Sequence, residues 1–439
     1  MTDAHSGGPP APIAPPLSRD RNFAWMIGGS MVSMLGDQCS LIALPWLVLQ
    51  MTGDTLMLGV VLGLVSLPRA LFILVGGALV DRHSPKRVLM RSKQVSAVLL
   101  LVLAGLLLGG GLSLWMVYLL AFGLGLASAF GIPSGTSLLP QVVARERLPA
   151  ANSAMLGLRQ LSMFIGPLLA GGLILWFGDA QAAAVSDARG LGLAFLLDAF
   201  SFVLSAWTLS KVRLREQAAP ASGQGPRSAV LAAVAEGLRW CWNDRPLRAS
   251  FLYWGGVALL IYGPIHIALP VLADQQPALG AAAFGLLTGA HGAGTLLGMV
   301  VSGVRPGLRA RNLGTTLLLV DLLIGLLFMP LGCISALWQG MALLLVIGLF
   351  GGYMQVEVFT WLQQRVPPAL LGRAMSLFLF IFMGLAPLSA AVSGWFMRHV
   401  SVAQLFAASG ALLVAMVLLT LAGSRMREIT DLPQAAREG

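Results

Sequence analysis

Charge is scarce in this chain. Only 10% of its 439 residues are Asp, Glu, Lys or Arg, against 57% that are hydrophobic. A soluble globule carries roughly 25% charge, so that class is excluded. Lysine is almost missing: Lys86, Lys93 and Lys211 are the three, and the other 25 of 28 basic residues are Arg. Cys39, Cys241 and Cys333 lie in or beside separate apolar segments, which excludes a disulfide frame or a paired metal motif. No phosphate-cradling glycine loop, metal-ligand pair or nucleophile elbow is present, so the chain reads as neither an enzyme nor a cofactor protein. Residues 1–22 hold Pro, Gly and Ala but no apolar run with a cleavage site; they read as a disordered tail, not a signal peptide.

What the chain has is apolar length. Crossing a bilayer takes about 20 mostly apolar residues. Twelve segments qualify: Phe23–Gln50, Leu56–Val80, Val88–Leu108, Leu112–Leu139, Ala150–Phe177, Leu191–Lys211, Ala249–Leu272, Ala281–Val304, Leu313–Gly332, Leu337–Leu362, Leu370–Met397 and Val402–Ala422. Several are long enough to require tilting or kinking. The fold class is an all-α membrane protein of 12 transmembrane helices.

The net charge of +10 might signal nucleic acid, but its distribution says otherwise. With the N-terminus in the cytoplasm, 24 of the 28 Lys and Arg fall in cytoplasmic loops and tails, counting Arg82–Lys93 as one loop. Arg189 and Arg398 fall outside, and Arg69 and Arg159 within helices. That is the positive-inside pattern, and it places both termini in the cytoplasm with no nucleic-acid partner.

The chain divides in the middle. Residues 23–211 and 248–424 form two six-helix halves, joined by a polar linker at 212–247 and followed by a tail at 425–439. Within the linker, Val230, Val234, Leu238 and Trp242 recur every four residues beside Arg239. They predict an amphipathic helix along the inner face, or else the start of the seventh span. At an offset of 223 the halves repeat: Gln141 meets Gln364, Val143 meets Val366, Leu148 meets Leu371, Ala151 meets Ala374 and Ser153 meets Ser376. Parallel halves enclosing a site near the midplane are one arrangement of secondary transporters.

Three stretches carry a family resemblance. Asp81, Arg82, Lys86 and Arg87 lie in a turn of about seven residues between the second and third segments, with Gly77 four residues before Asp81. It resembles the loop signature of the major facilitator superfamily, with Ser84 and Pro85 where that family more often has Gly and Arg. In the fifth segment, Gly166, Pro167, Gly171 and Gly172 are similar to the Gly-Pro stretch of its antiporters, with Ser162 where an upstream glycine is usual. Small residues there permit close helix packing, and Pro167 a bend. The pieces Ser33 to Asp37, Ala43 to Trp46, Phe130 to Pro133, Asp198 to Phe202, Glu236 to Arg239 and Leu371 to Ser376 resemble the branch with macrolide-efflux proteins and the enterobactin exporter. This resemblance implies proton-driven export of a drug-like or siderophore-like molecule across a bacterial inner membrane, by a monomer with no cofactor beyond the proton gradient. An arginine found in the fourth helix of many proton-coupled exporters is absent.

Ionisable groups inside a bilayer are costly and usually face a cavity or a partner. Asp37 lies about 21 Å into the first segment at ~1.5 Å per residue, the place for a proton-carrying carboxyl. Arg159 is the basic residue deep in the fifth segment, where it would pair with Asp37 or hold an anionic cargo group. Arg69 after Pro68 and Asp321 in the ninth segment are the other coupling candidates. Asp198, His266 and His291 read as packing residues, and Glu357 as a partner of Arg365 or Arg373. Trp25, Trp46, Trp115, Trp338 and Trp361 suit an interfacial belt. Arg373, at the expected start of the eleventh helix, would receive Asp81 as a cytoplasmic gate latch. A lipid-moving or non-transporting protein of the same fold is the alternative, which the deep charges disfavour.

Overall fold

The structure is a computed structural model that describes residues 20–82, 84–144, 147–177, 188–214, 239, 241–275, 280–305, 310, 312–367, 374–375, 377–378, 380–382 and 384–423. These residues form helices and connections, with no strand among them. The helices are α1 (Arg21–Thr52), α2 (Thr55–Arg82), α3 (Pro85–Leu108), α4 (Leu114–Val142), α5 (Leu148–Phe177), α6 (Ala188–Lys211), α7 (Arg245–Asp274), α8 (Ala281–Val304), α9 (Leu313–Phe328), α10 (Leu337–Arg365), α11 (Ala386–Phe396) and α12 (Val402–Gly423). Ten are long and apolar enough to span a membrane, and α2 and α11 contribute the shorter apolar runs Thr55–Arg69 and Phe380–Phe396. The chain is a multi-pass membrane protein.

Local chemistry sets the helix ends. Asp20 starts α1 by accepting from the backbone N–H groups of Asn22 (2.9 Å) and Phe23 (3.3 Å). Gly53 ends it in the left-handed conformation, at φ 59°. Asp244 caps α7 through the Leu247 N–H (3.0 Å), and Asn312 caps α9 through that of Thr315 (2.8 Å). Asp244 also separates α7 from helical residues 241–243, so this part of the linker is not the start of the seventh span. Residues 230–238 and 240 of the expected amphipathic helix lie outside the described residues.

Three boundaries differ from expectation. The turn between α2 and α3 is two residues, not seven: α2 runs through Arg82, and Pro85 opens α3. Proline is suited to a first helical turn because its missing N–H has no helical partner there. The ninth span is α-helical only to Phe328 and continues as a 3₁₀ turn, Met329–Cys333, where Pro330 removes a donor. The eleventh span is interrupted at Leu385, two residues before Pro387.

In the first six helices the main packing is α2 on α4, α1 on α6 and α3 on both α4 and α6. In the last six it is α8 on α10, α7 on α11 and α9 on α12. The two groups meet chiefly along α5–α8 and α2–α11. The α5–α8 seam is possible only because Gly171 and Gly285 lack side chains: a Cβ on Gly171 would lie 3.1 Å from the Cα atoms of Ala282 and Gly285, and one on Gly285 would run into the Pro167 carbonyl oxygen. In a bilayer, where burial against neighbours gains little over lipid, this backbone proximity is what holds helices together.

Polar contacts join the two groups at one end of the bundle. The Gln50 amide donates to Asp274 (3.2 Å), and Thr55 Oγ1 donates to the Gly394 carbonyl (3.1 Å). Arg398 grips Asp54 with both Nε and Nη2. The Arg398 hydrogen bond holds the Asp54 carboxyl below the usual carboxylate range. A carboxyl lowered in this way stabilises the contact at neutral pH and loses that contribution only as pH falls through the lowered value. With 41% and 26% of the two side chains exposed, the pair is well screened and modest in strength. Labelling of a cysteine placed at Thr55 should therefore stay flat from about pH 8 to 5 and rise only in stronger acid. In Arg398→Ala it should be slightly raised throughout, and an unchanged profile in that variant would deny the pair a latching role.

Candidate transport site

The deep ionisable residues converge from five helices of the first half. Asp37 on α1 is exposed although it lies midway along its helix, and the charges that reach it are Lys93 on α3 first and Arg69 on α2 second. Lys93 is fixed by donating to Ser33 Oγ (2.9 Å) and lying 5.4 Å over the Phe202 ring, which spans α1 and α6. Arg69 is half-buried, and among the described residues its Nε has no hydrogen-bond partner. Arg159 on α5 is exposed and close enough to Arg69 for their like charges to repel. The expected Asp37–Arg159 pair is therefore replaced by Asp37 facing Lys93 and Arg69.

Asp198 on α6 backs this wall. It is 1% exposed and accepts from Ser40 on α1 and from Ser201 Oγ (3.2 Å), the packing role expected of it. Gly36 permits the approach, since a Cβ there would meet Asp198 Oδ1 at 2.7 Å. About two turns beyond Arg159 on α5, Gly166 packs on the Gln38 side chain of α1, while Pro167 and Gly171 face α8. The Gly-Pro stretch is thus part of the seam between the halves. A Cβ on Gly172 would meet open space.

The second group of helices brings aromatic rings towards these charges. Tyr262 and His266 on α7 stack with centroids 6.2 Å apart, and His266 lies within the field of Arg69. From Tyr262 a chain of rings runs through Phe382 (6.1 Å), Phe378 (4.6 Å), Trp254 (5.5 Å) and Trp361 (6.1 Å). His291 on α8 is half-buried and within range of His266. Edge-to-face rings at such separations reinforce one another by about 0.5–1.5 kcal/mol per pair. Trp361 and Trp46, expected in an interfacial belt, are instead 3% and 2% exposed. Trp115 and Trp338 are exposed, as a belt requires.

Other candidates fall elsewhere. Asp321 on α9 accepts from the Tyr253 hydroxyl (2.7 Å), and α9 packs mainly on α10 and α12, away from Asp37. Glu357 accepts from Ser302 Oγ (2.9 Å), while Arg365 pairs with Asp244 (3.0 Å); Arg373, the other partner expected for Glu357, lies outside the described residues. Lys86 and Arg87 lie in the first turn of α3, and Gly77, Asp81 and Arg82 in the last turns of α2. Arg373 lies outside the described residues, and so does its proposed contact with Asp81. Among the described residues no three His, Cys, Asp or Glu are grouped to hold a metal.

Sequence reasoning missed Lys93, which it counted in a cytoplasmic loop. The signal was available in Pro85: a helix beginning there puts Lys93 two turns inside. It also missed the aromatic wall, whose trace is the spacing of four between Phe378 and Phe382.

The fold is that of a polytopic membrane protein with deep charges on one helical group and a run of aromatic rings on the other, His266 lying within reach of Arg69. A family model described as transmembrane secretion effector matches residues 11–438, and the chain belongs to that family, within the major facilitator superfamily. It is 28% identical over 419 residues to the multidrug efflux pump Tap of Mycobacterium tuberculosis, covering 92% of this chain and 94% of the relative. It is also 28% identical over 341 residues to the enterobactin exporter EntS of Escherichia coli, covering 76% and 74%. Among solved structures, the nucleoside transporter NupG superposes with a TM-score of 0.70 at 12% identity, over 93% of this chain and 100% of that one. A bacterial homologue of the iron transporter ferroportin, in its inward-facing state, gives 0.64 at 18%, over 91% and 98%. These two likenesses concern the fold. The chain is an exporter-type transporter of small molecules, not an enzyme.

Proposed function

We propose that the chain exchanges protons for a drug-like or siderophore-like small molecule, moving it out of the cytoplasm across a bacterial inner membrane. Asp37 carries this reading: an exposed carboxylate deep in α1, facing two cations and bonded to neither. In its charged form it offsets Lys93 and Arg69 and admits a basic group of the cargo; in its neutral form it leaves the two cations to repel that group. Proton and cargo thus compete through one local charge balance. The aromatic wall supplies an apolar face for a ring-bearing cargo.

The positive-inside count puts the Lys86 end of the bundle in the cytoplasm and the Asp54 end outside. The inter-half contacts at Gln50, Asp54 and Thr55 then close the cavity to the outside. The accessible side chains of Asp37 and Arg159 open towards the cytoplasm.

The test uses everted vesicles from a strain lacking the gene and from the same strain expressing the chain. Labelled macrolides, dyes and catechol siderophores are supplied with an imposed proton gradient. Uptake that collapses with an uncoupler supports the reading, and uptake indifferent to it overturns proton coupling. Arg159→Ala should weaken transport of an anionic cargo about tenfold more than that of its cationic analogue, the loss of roughly one charge-assisted hydrogen bond. Equal loss for both would assign Arg159 to packing.

A further inference from the structure

A second concave site lies at the Lys86 end, away from the cavity. It is a pocket of about 630 Å³ where the start of α3 meets the end of α6, lined by Lys86, Arg87, Lys211 and Arg213 with Ser84 and Ser210. Among the described residues that line it there is no carboxylate. Four cations on one small concavity need a reason in a chain with so little charge.

The pocket is held in shape by its own contacts. Lys86 Nζ donates to the carbonyls of Ser210 (3.1 Å) and Val212 (2.6 Å). It thereby ties the two helix ends together and occupies acceptors that would repel an anion. The Arg213 N–H is fixed by Asn22 Oδ1 (3.1 Å). Arg87, Lys211 and Arg213 remain exposed and free to engage a ligand.

Beside the pocket runs an apolar track. Phe200, Val203 and Trp207 are 64%, 49% and 49% exposed and recur at intervals of three and four, along one face of α6. Trp207 sits at the boundary, with the Lys211 ammonium 5.5 Å over its ring. Tryptophan and lysine together at a helix end mark the headgroup level of a bilayer, and basic pockets between helices there suit anionic headgroups.

We propose that this pocket binds the phosphate headgroup of an anionic glycerophospholipid, with its acyl chains laid along Phe200, Val203 and Trp207. The apolar track selects lipid over free phosphate, and the four cations select an anionic headgroup over a zwitterionic one. The site is independent of cargo and of proton coupling, and a binding assay tests it separately from transport.

Full-length protein in detergent is titrated with phosphatidylglycerol, phosphatidylethanolamine or inorganic phosphate, with native mass spectrometry and thermal unfolding as readouts. Phosphatidylglycerol should bind saturably and raise the unfolding midpoint, and phosphatidylethanolamine should bind at least about tenfold more weakly. Lys211→Ala with Arg213→Ala should weaken phosphatidylglycerol about thirtyfold, roughly fivefold per charge, with phosphatidylethanolamine unchanged. Lys211→Arg with Arg213→Lys, which preserves the charges, should restore binding and excludes a folding defect as the cause. Equal phosphatidylglycerol binding by wild type and the alanine variant would overturn the proposal. So would inorganic phosphate binding at the same pocket as tightly as the lipid.

Discussion

Asp37→Asn should abolish uphill export while leaving cargo bound. The amide keeps the size and much of the hydrogen bonding of the carboxyl but fixes its charge at zero. Lys93 and Arg69 then stay uncompensated in every state, so cargo held by its other contacts meets the same charge whether or not protons are abundant. Coupling between two ligands is a free-energy difference, typically about 1–3 kcal/mol, and it vanishes when one ligand has no site. Cargo should therefore equilibrate across the membrane without accumulating against a gradient. The measurement is proton-driven accumulation in vesicles, with equilibrium binding of the same cargo to purified protein. Full accumulation by Asp37→Asn would remove this residue from the mechanism. Loss of binding together with accumulation would make Asp37 a cargo contact only.

Gly285→Leu should be comparably damaging for a mechanical reason. Any side chain at Gly285 runs into the Pro167 carbonyl and the Gly171 backbone. Backbone atoms within two long helices cannot yield as a flexible side chain can. Overpacking of this kind costs about 1–3 kcal/mol, enough to shift a two-state ratio roughly five- to hundredfold. The arrangement in which α5 and α8 lie together becomes disfavoured, so labelling of a cysteine at Thr55 should increase and transport should fall at least about tenfold. Gly172→Ala is the matched control. Its Cβ meets open space, and transport should persist. Wild-type labelling and transport in Gly285→Leu would mean that the seam is not part of the cycle.

The spans were legible because membrane crossing leaves a coarse signature: long apolar runs survive any uncertainty about packing. Asp37, Arg69 and Arg159 stood out for the same reason, as charges where charge is costly. Lys93 did not, because a cation near a helix end reads equally as a loop residue until the start of the helix is known. Trp361 was misplaced by a similar ambiguity. Near the end of a helix, a tryptophan at the bilayer surface and one turned inward share the same sequence position, and only the neighbouring Trp254 distinguishes them. Asp321 shows the limit from the other side: its partner Tyr253 is 68 residues away, a distance no local pattern spans.

The deep charges and the aromatic rings belong to different helical groups, and on the proposed function this would make the grip on cargo depend on the stroke. A ligand touching only Asp37, Lys93 and the two arginines would ride with one half through the whole cycle. A ligand that also lies on Tyr262 and Phe382 is clamped between two jaws, firmly held only at the separation where both reach it. Were the two groups to rock about the α5–α8 seam, one jaw would withdraw and the hold would slacken without any chemical change in either group. Molecules with a charged end and a ring would then be released by the motion itself, whereas small ions, gripped by one jaw, would be carried back. Selectivity then comes from cargo size as much as from chemistry.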